Sequence, residues 1–315
     1  MKIGIDVMGG DYAPDVVVKG VAKAVPKLAA GSRVVLFGDK DKILSLSKKE
    51  GFDTSLVDIV HTTQVIEMGE HPAKAFLQKP DSSITVGFKA LGNKEIDGFT
   101  SAGSTGAMLV GTMQTIKTIE GVTRPCIPTL VPQFDGSITI LADAGLNADC
   151  KPEMLYQFAV LGSVFVKAVL GVKNPRVALL SNGTENEKGN VLTLAVHALL
   201  REAKNINFIG NIEGNQIFSG AADVIVCDGF VGNIVLKQAE AMYVLSRKMK
   251  LDNPFFARFN DEIYGGMPLL GSSSTVLIAH GHATEETVKN MVLQTENLVR
   301  SKMIEKVRQD LMKNE

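Results

Sequence analysis

The segment "DGFTSAGSTGAM" (97–108) decides the fold class because it joins a strand, a turn and the start of a helix. Its first half, 97–102, is apolar enough for a buried strand. The periodicity over 104–117 is that of an amphipathic helix. Between them, Gly103 and Gly106 remove side chains from a turn that is otherwise built of small hydroxyl residues. A strand followed by such a turn and a helix is the repeating unit of α/β proteins.

The same alternation runs along most of the chain. The predicted strands are 2–8, 33–38, 57–62, 97–102, 137–144, 176–181, 207–212 and 223–229. The predicted helices are 14–29, 82–93, 104–117, 152–170, 190–203 and 230–249. Several strands are apolar on both faces, as expected for a sheet covered by helices on both sides. We therefore predict an α/β fold, a three-layer α/β/α sandwich with a mostly parallel, doubly wound sheet.

Domain boundaries leave little trace in the sequence. No linker rich in Pro, Gly or Ser divides the chain, so we predict a single α/β/α domain over 1–315, or two halves that share a continuous sheet. The segment 250–283 breaks the alternation before a last strand. The final 30 residues, with mixed charge, predict one amphipathic helix.

Composition excludes several classes of protein. The 315 residues carry 33 basic and 34 acidic side chains, so no overall field would gather nucleic acid. The 3 cysteines lie far apart, which favours a reducing compartment over a disulfide framework. The N-terminus reads as a first strand and not as a signal peptide, and no apolar run approaches the roughly 18 residues of a membrane span. These observations predict a cytoplasmic protein.

Glycine-rich and polar loops follow several predicted strands, and in a parallel sheet such loops meet at one edge, where ligands bind. Neither "SAGSTGAM" nor "SNGTENEKGN" has the spacing of a dinucleotide or P-loop site. Each loop has an alternative interpretation as an ordinary capped turn or solvated loop. Groups suited to an anion in these loops are Gly103, Ser104, Thr105, Gly106, Lys188, Gly189 and Asn190.

Further polar residues lie at the same predicted edge. The aspartates at strand ends are suited either to orienting basic side chains or to capping helices, and Arg124 precedes a proline that fixes its turn. The histidines lack metal-ligand spacing, so no metal site is predicted. The candidates are Asp6, Arg124, Asp143, Asp228, Asn233 and His280.

A set of motifs then identifies a family. They include "IDVMGGDYAP" (5–14), "TRPCIP" (123–128), "DAGLNADCKPE" (143–153), "DGFVGNIVLK" (228–237) and "YGGMPLLG" (264–271). In this order, from residue 1 to about 283, the chain resembles bacterial phosphate acyltransferases, the acyl-ACP:phosphate acyltransferases of phospholipid synthesis.

The resemblance implies a reaction and its partners. Inorganic phosphate would attack the thioester of a long-chain acyl carrier protein, and a membrane glycerol-3-phosphate acyltransferase would use the resulting acyl phosphate. It further implies a homodimer, no metal or organic cofactor, and a fold similar to phosphotransacetylases and isopropylmalate dehydrogenases. The main rival is a phosphotransacetylase that acts on acyl-CoA. A dehydrogenase and a silent scaffold are further alternatives.

The resemblance also suggests roles for the candidate residues. The predicted catalytic set is Ser104, Arg124, Lys188, Asn233 and His280. The predicted phosphate-binding set is Gly103, Ser104, Thr105, Gly106, Lys188, Gly189 and Asn190. The predicted orienting set is Asp6, Asp143, Asn147 and Asp228.

Two surfaces follow from the same resemblance. Acyl carrier proteins are acidic, so we predict a basic patch for them at Lys237, Arg247, Lys248, Lys250 and Arg258. A protruding helical hairpin over 237–263 would place its tip against the membrane. The tip residues are Phe255, Phe256 and Phe259, and burial in a dimer contact is the alternative. The protein would then be cytoplasmic with peripheral association at the inner face of the cytoplasmic membrane.

Overall fold

The computed structural model describes residues 1–251 and 253–312, without the side chains of Asp261 and Met312. The chain forms two compact units. Unit 1 comprises Met1–Thr118 and Asp261–Lys302, and unit 2 comprises Ile119–Asn260 and Met303–Glu315. Each unit has a sheet of its own, so the described strands do not form the continuous sheet considered above. The single domain over 1–315 stays a prediction, with 252 and 313–315 outside the described residues.

Unit 1 is built on a six-stranded sheet in the order β10-β11-β4-β1-β2-β3, in which only the β10–β11 pair is antiparallel. Its strands are β1 (Lys2–Asp6), β2 (Arg33–Gly38), β3 (Val57–His61), β4 (Gly98–Ser101), β10 (Met267–Pro268) and β11 (Thr275–Ile278). Its helices are α1 (Asp15–Ala24), α2 (Lys40–Lys49), α3 (Pro72–Gln78), α4 (Ser83–Gly92), α5 (Thr105–Gly111) and α10 (Glu285–Arg300). The carboxyl ends of β1, β4 and β11 therefore lie side by side.

Unit 2 has a five-stranded sheet in the order β5-β6-β9-β7-β8, parallel except for β5. Its strands are β5 (Thr129–Pro132), β6 (Ile138–Ala142), β7 (Arg176–Leu180), β8 (Asn207–Ile212) and β9 (Val224–Val226). Its helices are α6 (Pro152–Phe165), α7 (Val191–Glu202), α8 (Gly229–Lys248), α9 (Pro254–Ala257) and α11 (Met303–Met312). The carboxyl ends of β6, β9 and β7 lie at one edge of this sheet. The amino end of the antiparallel β5 lies at the same edge.

The core of unit 1 depends on close contacts between aromatic rings and glycines. Phe99 on β4 meets Phe37 and Phe88 edge to face, with ring centroids 5.8 and 5.3 Å apart. Gly87 on α4 lies directly against the Phe99 ring, so this face of the helix leaves no room for a side chain. Such edge-to-face contacts add to the free energy gained by burying the rings.

The core of unit 2 is organised by α6. Among the described residues, Pro152–Leu170 is the one helical stretch long and apolar enough to cross a membrane by length and composition. Its side chains Leu155, Phe158 and Ala159 are fully buried, and the helix contacts β6, β9, α7 and α11. This apolar length therefore forms part of the core of unit 2.

The predicted strands and helices are confirmed, within a few residues at their ends. The sequence patterns missed the short strands β5 and β10 and the helices α2 and α3. The prediction of one C-terminal helix is wrong, because α10 ends at Arg300 and α11 begins at Met303. Lys302 between them has a φ of 52°, a left-handed conformation that stops a helix. The described residues of 237–263 form the end of α8, the four-residue α9 and a 3-10 turn at Asp261–Ile263, and the protruding hairpin stays a prediction.

We expect Gly87→Ala to destabilise the protein, although alanine is normally the better helix former. In an exposed helix the change gains about 1 kcal/mol, but here the new methyl group would overlap the buried Phe99 ring. The expected loss in the free energy of unfolding is about 1–3 kcal/mol, measured by urea titration. Gly69→Ala is the control, because a Cβ at that position meets open space. Equal stability of the two variants would contradict this packing.

Candidate active site

In unit 1, a buried carboxylate lies where β1 ends. Ser101 Oγ, at the end of the neighbouring β4, donates a hydrogen bond to Asp6 Oδ2 at 2.7 Å, and the Met8 amide donates to Oδ1 at 3.0 Å. Asp6 is almost fully buried, and burial raises its pKa, whereas the hydrogen bonds from Ser83, Ser101 and the backbone act in the opposite direction. Asp6 thus links the ends of two strands, and its role in orienting a catalytic site stays a prediction.

Two glycines allow the chain to close around this carboxylate. A Cβ on Gly9 would overlap Asp6 Oδ2, and one on Gly103 would lie 3.1 Å from the Gly9 Cα. The Gly103 amide donates to Ser101 Oγ at 2.8 Å. This bond fixes the turn before α5, and phosphate binding by Gly103 stays a prediction.

The residues that follow form the start of α5. Ser104 is its N-cap, and the hydroxyl oxygen accepts a hydrogen bond from the Ala107 amide at 3.3 Å. Thr105 is exposed, and Gly106 lies against the ring of Pro72 on α3 with no room for a Cβ. Phosphate binding by Ser104, Thr105 and Gly106 stays a prediction.

His280 follows β11 at the same edge of the sheet. The Ala279 amide donates to the Ser101 carbonyl at 3.0 Å, and the Asp11 amide donates to the Gly281 carbonyl at 2.7 Å. These two bonds tie the segment of His280 to both the β4 turn and the "MGGDYAP" loop. The His280 ring stacks on His282 with centroids 5.3 Å apart.

In unit 2, a second buried carboxylate lies where β6 ends. Asp143 Oδ1 accepts a hydrogen bond from the Ile127 amide at 3.0 Å. Asp143 Oδ2 accepts two from Asn147, through the backbone amide at 2.6 Å and through Nδ2 at 2.9 Å. Burial raises the pKa of Asp143, and these donors oppose the rise. Asp143 therefore joins the 127 and 147 segments through N–H groups.

Asn147 extends the network in two further directions. Its Nδ2 also donates to the Pro125 carbonyl at 2.9 Å, and its own carbonyl accepts from the Gly229 amide at 2.7 Å. A Cβ on Gly229 would lie 2.8 Å from Asp143 Oδ2, and one on Gly232 would overlap the Asp143 carbonyl. The glycines of "DGFVGN" are thus required for α8 to start against this loop.

Other predicted residues surround this network. Arg124 is exposed and lies one residue before Pro125, whose carbonyl Asn147 holds. Asp228 caps α8 by accepting from the Val231 amide at 2.9 Å. Asn233 lies against Gly145, and its Nδ2 is 3.5 Å from the Ala144 carbonyl. The structure therefore brings Arg124, Asp143, Asn147, Asp228 and Asn233 together at one edge of unit 2.

Two cysteines lie beside this network, although the sequence pattern gave them no role there. Cys227 Sγ lies 3.6 Å from the Asp143 carbonyl, and Cys150 Sγ donates to the Asn147 carbonyl at 3.3 Å. Burial raises the pKa of Cys150 to about 11, so it stays a thiol at neutral pH and serves as a donor. The spacing of these residues along the chain gave no sign that they would meet.

The Lys188 loop follows β7 at the same edge. Its backbone is fixed by the Ser181 hydroxyl, which donates to the Lys188 carbonyl at 3.2 Å, and the Lys188 side chain is exposed. Gly189 has a φ of 130°, which only glycine adopts readily. Asn190 and Thr193 form a capping box at the start of α7. Phosphate binding by Lys188, Gly189 and Asn190 stays a prediction.

Some of the basic side chains predicted to bind the acyl carrier protein are exposed, and others already contact residues of this chain. Arg247, Lys248 and Lys250 are exposed at the end of α8, and Lys237 pairs with Glu240 at 2.7 Å. Arg258 instead donates to the carbonyls of 133, 136 and 137 at 2.7 to 3.0 Å. Its guanidinium thus holds this loop of unit 2, and its place in the carrier patch stays a prediction.

The predicted membrane-tip rings pack against unit 2. Phe255 stacks on Phe134 with centroids 4.4 Å apart, and Phe259 meets Phe218 edge to face at 5.6 Å. Phe256 contacts Phe255 at 5.6 Å. The three tip residues are therefore half-buried in an aromatic cluster, and membrane contact by this segment stays a prediction.

The described residues contain no group of three His, Cys, Asp or Glu side chains that could hold a metal ion. The two edges offer instead hydroxyl groups, backbone amides and exposed cations. Such groups bind an anion, or an oxyanion that forms during a reaction, through hydrogen bonds and charge.

Comparison with solved structures supports the fold. The chain is similar to a phosphotransacetylase from Streptococcus pyogenes, with a TM-score of 0.66 and 19% identity over 97% of this chain and 94% of that one. It is also similar to a phosphotransacetylase from Staphylococcus aureus, with a TM-score of 0.64 and 19% identity over 95% and 94% of the two chains. The α/β fold predicted from the sequence is thus confirmed, together with its likeness to phosphotransacetylases.

Comparison of sequences establishes the family. The family described as "Fatty acid synthesis protein" matches residues 1–306. A phosphate acyltransferase from Dictyoglomus turgidum is 40% identical over 99% of this chain and 98% of its own length. One from Syntrophomonas wolfei is 39% identical over 99% of both. The chain therefore belongs to the phosphate acyltransferase family, as its motifs predicted, and is an acyltransferase.

Proposed function

We propose that the protein transfers a long-chain fatty acyl group from acyl carrier protein to inorganic phosphate, giving an acyl phosphate and the free carrier thiol. The observation that carries this proposal is 40% identity, over 99% of the chain, to a protein named phosphate acyltransferase. The family description, fatty acid synthesis protein, supports a fatty acyl substrate.

The reaction needs positioning and charge more than a strong base. A phosphate oxygen attacks the thioester carbonyl carbon, a tetrahedral oxyanion forms, and the C–S bond then breaks so that the carrier leaves as a thiolate and takes up a proton. Holding phosphate about 3 Å from the carbonyl carbon makes the attack effectively intramolecular. Hydrogen-bond donors and cations must stabilise the oxyanion, and one such donor contributes about 3–4 kcal/mol in other enzymes.

The exposed cations of unit 2 are suited to this task. Arg124 lies beside the Asp143–Asn147 network, and Lys188 follows β7 at the same edge. We assign to these two side chains the binding of phosphate, or of the oxyanion that forms on the thioester carbonyl. Asp143 does not contact the cation directly in this assignment, since its oxygens accept from Ile127 and Asn147. It orients the backbone that carries Arg124.

The family resemblance also supports a proposal for which enzyme uses the product and where the protein acts. A glycerol-3-phosphate acyltransferase in the membrane would consume the acyl phosphate for phosphatidic acid synthesis, because an acyl phosphate is a reactive acyl donor. The protein would act as a homodimer in the cytoplasm, with peripheral association at the inner face of the cytoplasmic membrane.

Palmitoyl-acyl carrier protein and inorganic phosphate test the reaction directly. We expect carrier thiol to be released only when phosphate is present, with an equal amount of hydroxamate after neutral hydroxylamine is added to the quenched reaction. Thiol release that is independent of phosphate would contradict the proposal. Turnover with short-chain acyl-CoA, and none with the carrier, would assign the protein to the rival phosphotransacetylase activity.

Arg124→Ala should lower kcat/KM for phosphate by about 10- to 100-fold, because a charge-assisted hydrogen bond contributes about 1.5–3 kcal/mol. Arg124→Lys should recover part of the loss, since a lysine keeps the charge without the planar fork of donors. Arg201→Ala is the control. It removes an exposed cation from the last turn of α7, the end of that helix away from the Lys188 loop. Unchanged phosphate kinetics in Arg124→Ala would remove this residue from the site.

The carrier patch makes a separate prediction about salt. Arg247→Glu with Lys248→Glu should lower kcat/KM for the acyl carrier protein about tenfold or more at low ionic strength, and the difference should shrink as salt is added. The KM for phosphate should not change. Lys173→Glu with Lys204→Glu is the matched control, because both are exposed cations elsewhere on unit 2. An equal loss in kcat/KM for the acyl carrier protein in the patch variant and in the control variant would contradict a local docking patch.

A further inference from the structure

The loop that carries Arg124 is held at both ends by side-chain amides. On one side, Asn147 Nδ2 donates to the Pro125 carbonyl at 2.9 Å. On the other side, Gln157 Oε1 accepts from the Thr123 amide at 2.9 Å, and Gln157 Nε2 donates to the Gly121 carbonyl at 2.7 Å. The residue between these two attachments is Arg124.

The side chain of Gln157 is half-buried and extends from a helix that packs into the core. It lies in the middle of α6, and its neighbours Leu155 and Phe158 are fully buried in the core of unit 2. A side chain on a buried helix is a more rigid support than one on a loop. Its amide oxygen accepts one hydrogen bond from this loop and one of its two N–H groups donates another, so Gln157 contacts the peptide groups on both sides of Val122.

We propose that Gln157 is a positioning residue that directs the Arg124 guanidinium toward the phosphate site. The proposal rests on the phosphate-binding role assigned to Arg124 above. Asn147 and Gln157 have different tasks in it: Asn147 joins the loop to Asp143, and Gln157 joins it to α6. Small misplacements of a catalytic group cause large losses in rate, so two attachments beside one cation are chemically reasonable.

A double-mutant cycle separates positioning from general stability. Gln157→Ala should lower kcat/KM for phosphate about tenfold, which corresponds to the loss of about two ordinary hydrogen bonds. In the Arg124→Ala background, the same Gln157→Ala change should lower it less than about twofold, since there is no guanidinium left to direct. The KM for the acyl carrier protein should stay within about twofold in all four proteins.

Tyr156→Phe is the matched control. Tyr156 is the adjacent residue of α6, and its hydroxyl group donates to Asn205 Oδ1 at 3.2 Å, so the variant frees a loop that does not carry Arg124. We expect it to leave phosphate kinetics within about twofold of wild type. A loss equal to that of Gln157→Ala would mean that any weakening of α6 has this effect, which overturns the proposal.

Two further results would also overturn it: unchanged phosphate kinetics in Gln157→Ala, or the same loss with and without Arg124. If the wild type turns over acyl carrier protein and phosphate but the cycle shows no coupling, only the positioning role fails. If the wild type shows no turnover, the proposed function fails, and the same cycle is read from phosphate affinity by calorimetry. Coupling there supports the role of Gln157, and a wild type that does not bind phosphate overturns both proposals.

Discussion

The edge of unit 2 depends on the buried carboxylate of Asp143. A carboxylate removed from water is costly unless hydrogen-bond donors replace its hydration. Three N–H groups from Ile127 and Asn147 do so at 2.6 to 3.0 Å. Each donor comes from a loop that has no regular structure of its own. The need to satisfy one buried group therefore determines where the 123–127 and 143–147 loops lie, and through the Asn147 carbonyl it also determines where α8 begins.

Unit 1 uses the same physical arrangement with different residues. Asp6 ends a central strand, accepts from Ser101 and the Met8 amide, and is enclosed by the backbone of Gly9 and Gly103. In both units, glycines next to the carboxylate let a neighbouring segment approach to van der Waals distance, and that segment begins a helix or a turn. The glycines in these motifs are thus explained by the close approach of neighbouring backbone segments. A glycine there need not offer its amide to a ligand.

The sequence was most informative where periodicity and strand ends determine the structure. Alternating strands and helices predicted the fold class. Polar residues after strands predicted that Asp143, Asn147 and Asp228 would meet, and the Arg-Pro turn suggested Arg124 beside them. It was least informative where a role depends on long-range contacts. Gln157 reads as an ordinary polar helix residue, and nothing in the spacing of Cys150 and Cys227 places them beside Asp143. Likewise, Arg258 reads as a surface cation, but its guanidinium binds the carbonyls of the 133–137 loop.

Hydrogen–deuterium exchange of Asp143→Asn, compared with wild type, tests most directly whether this carboxylate holds the site together. An asparagine has the same shape but places an NH2 group opposite at least one of the N–H donors. Exchange should accelerate together in peptides covering 123–128 and 143–149, while the Lys188 loop, which the Asn190 capping box and Ser181 hold independently, keeps its wild-type rate. Faster exchange confined to 143–149, with 123–128 unchanged, would contradict the central role given to Asp143.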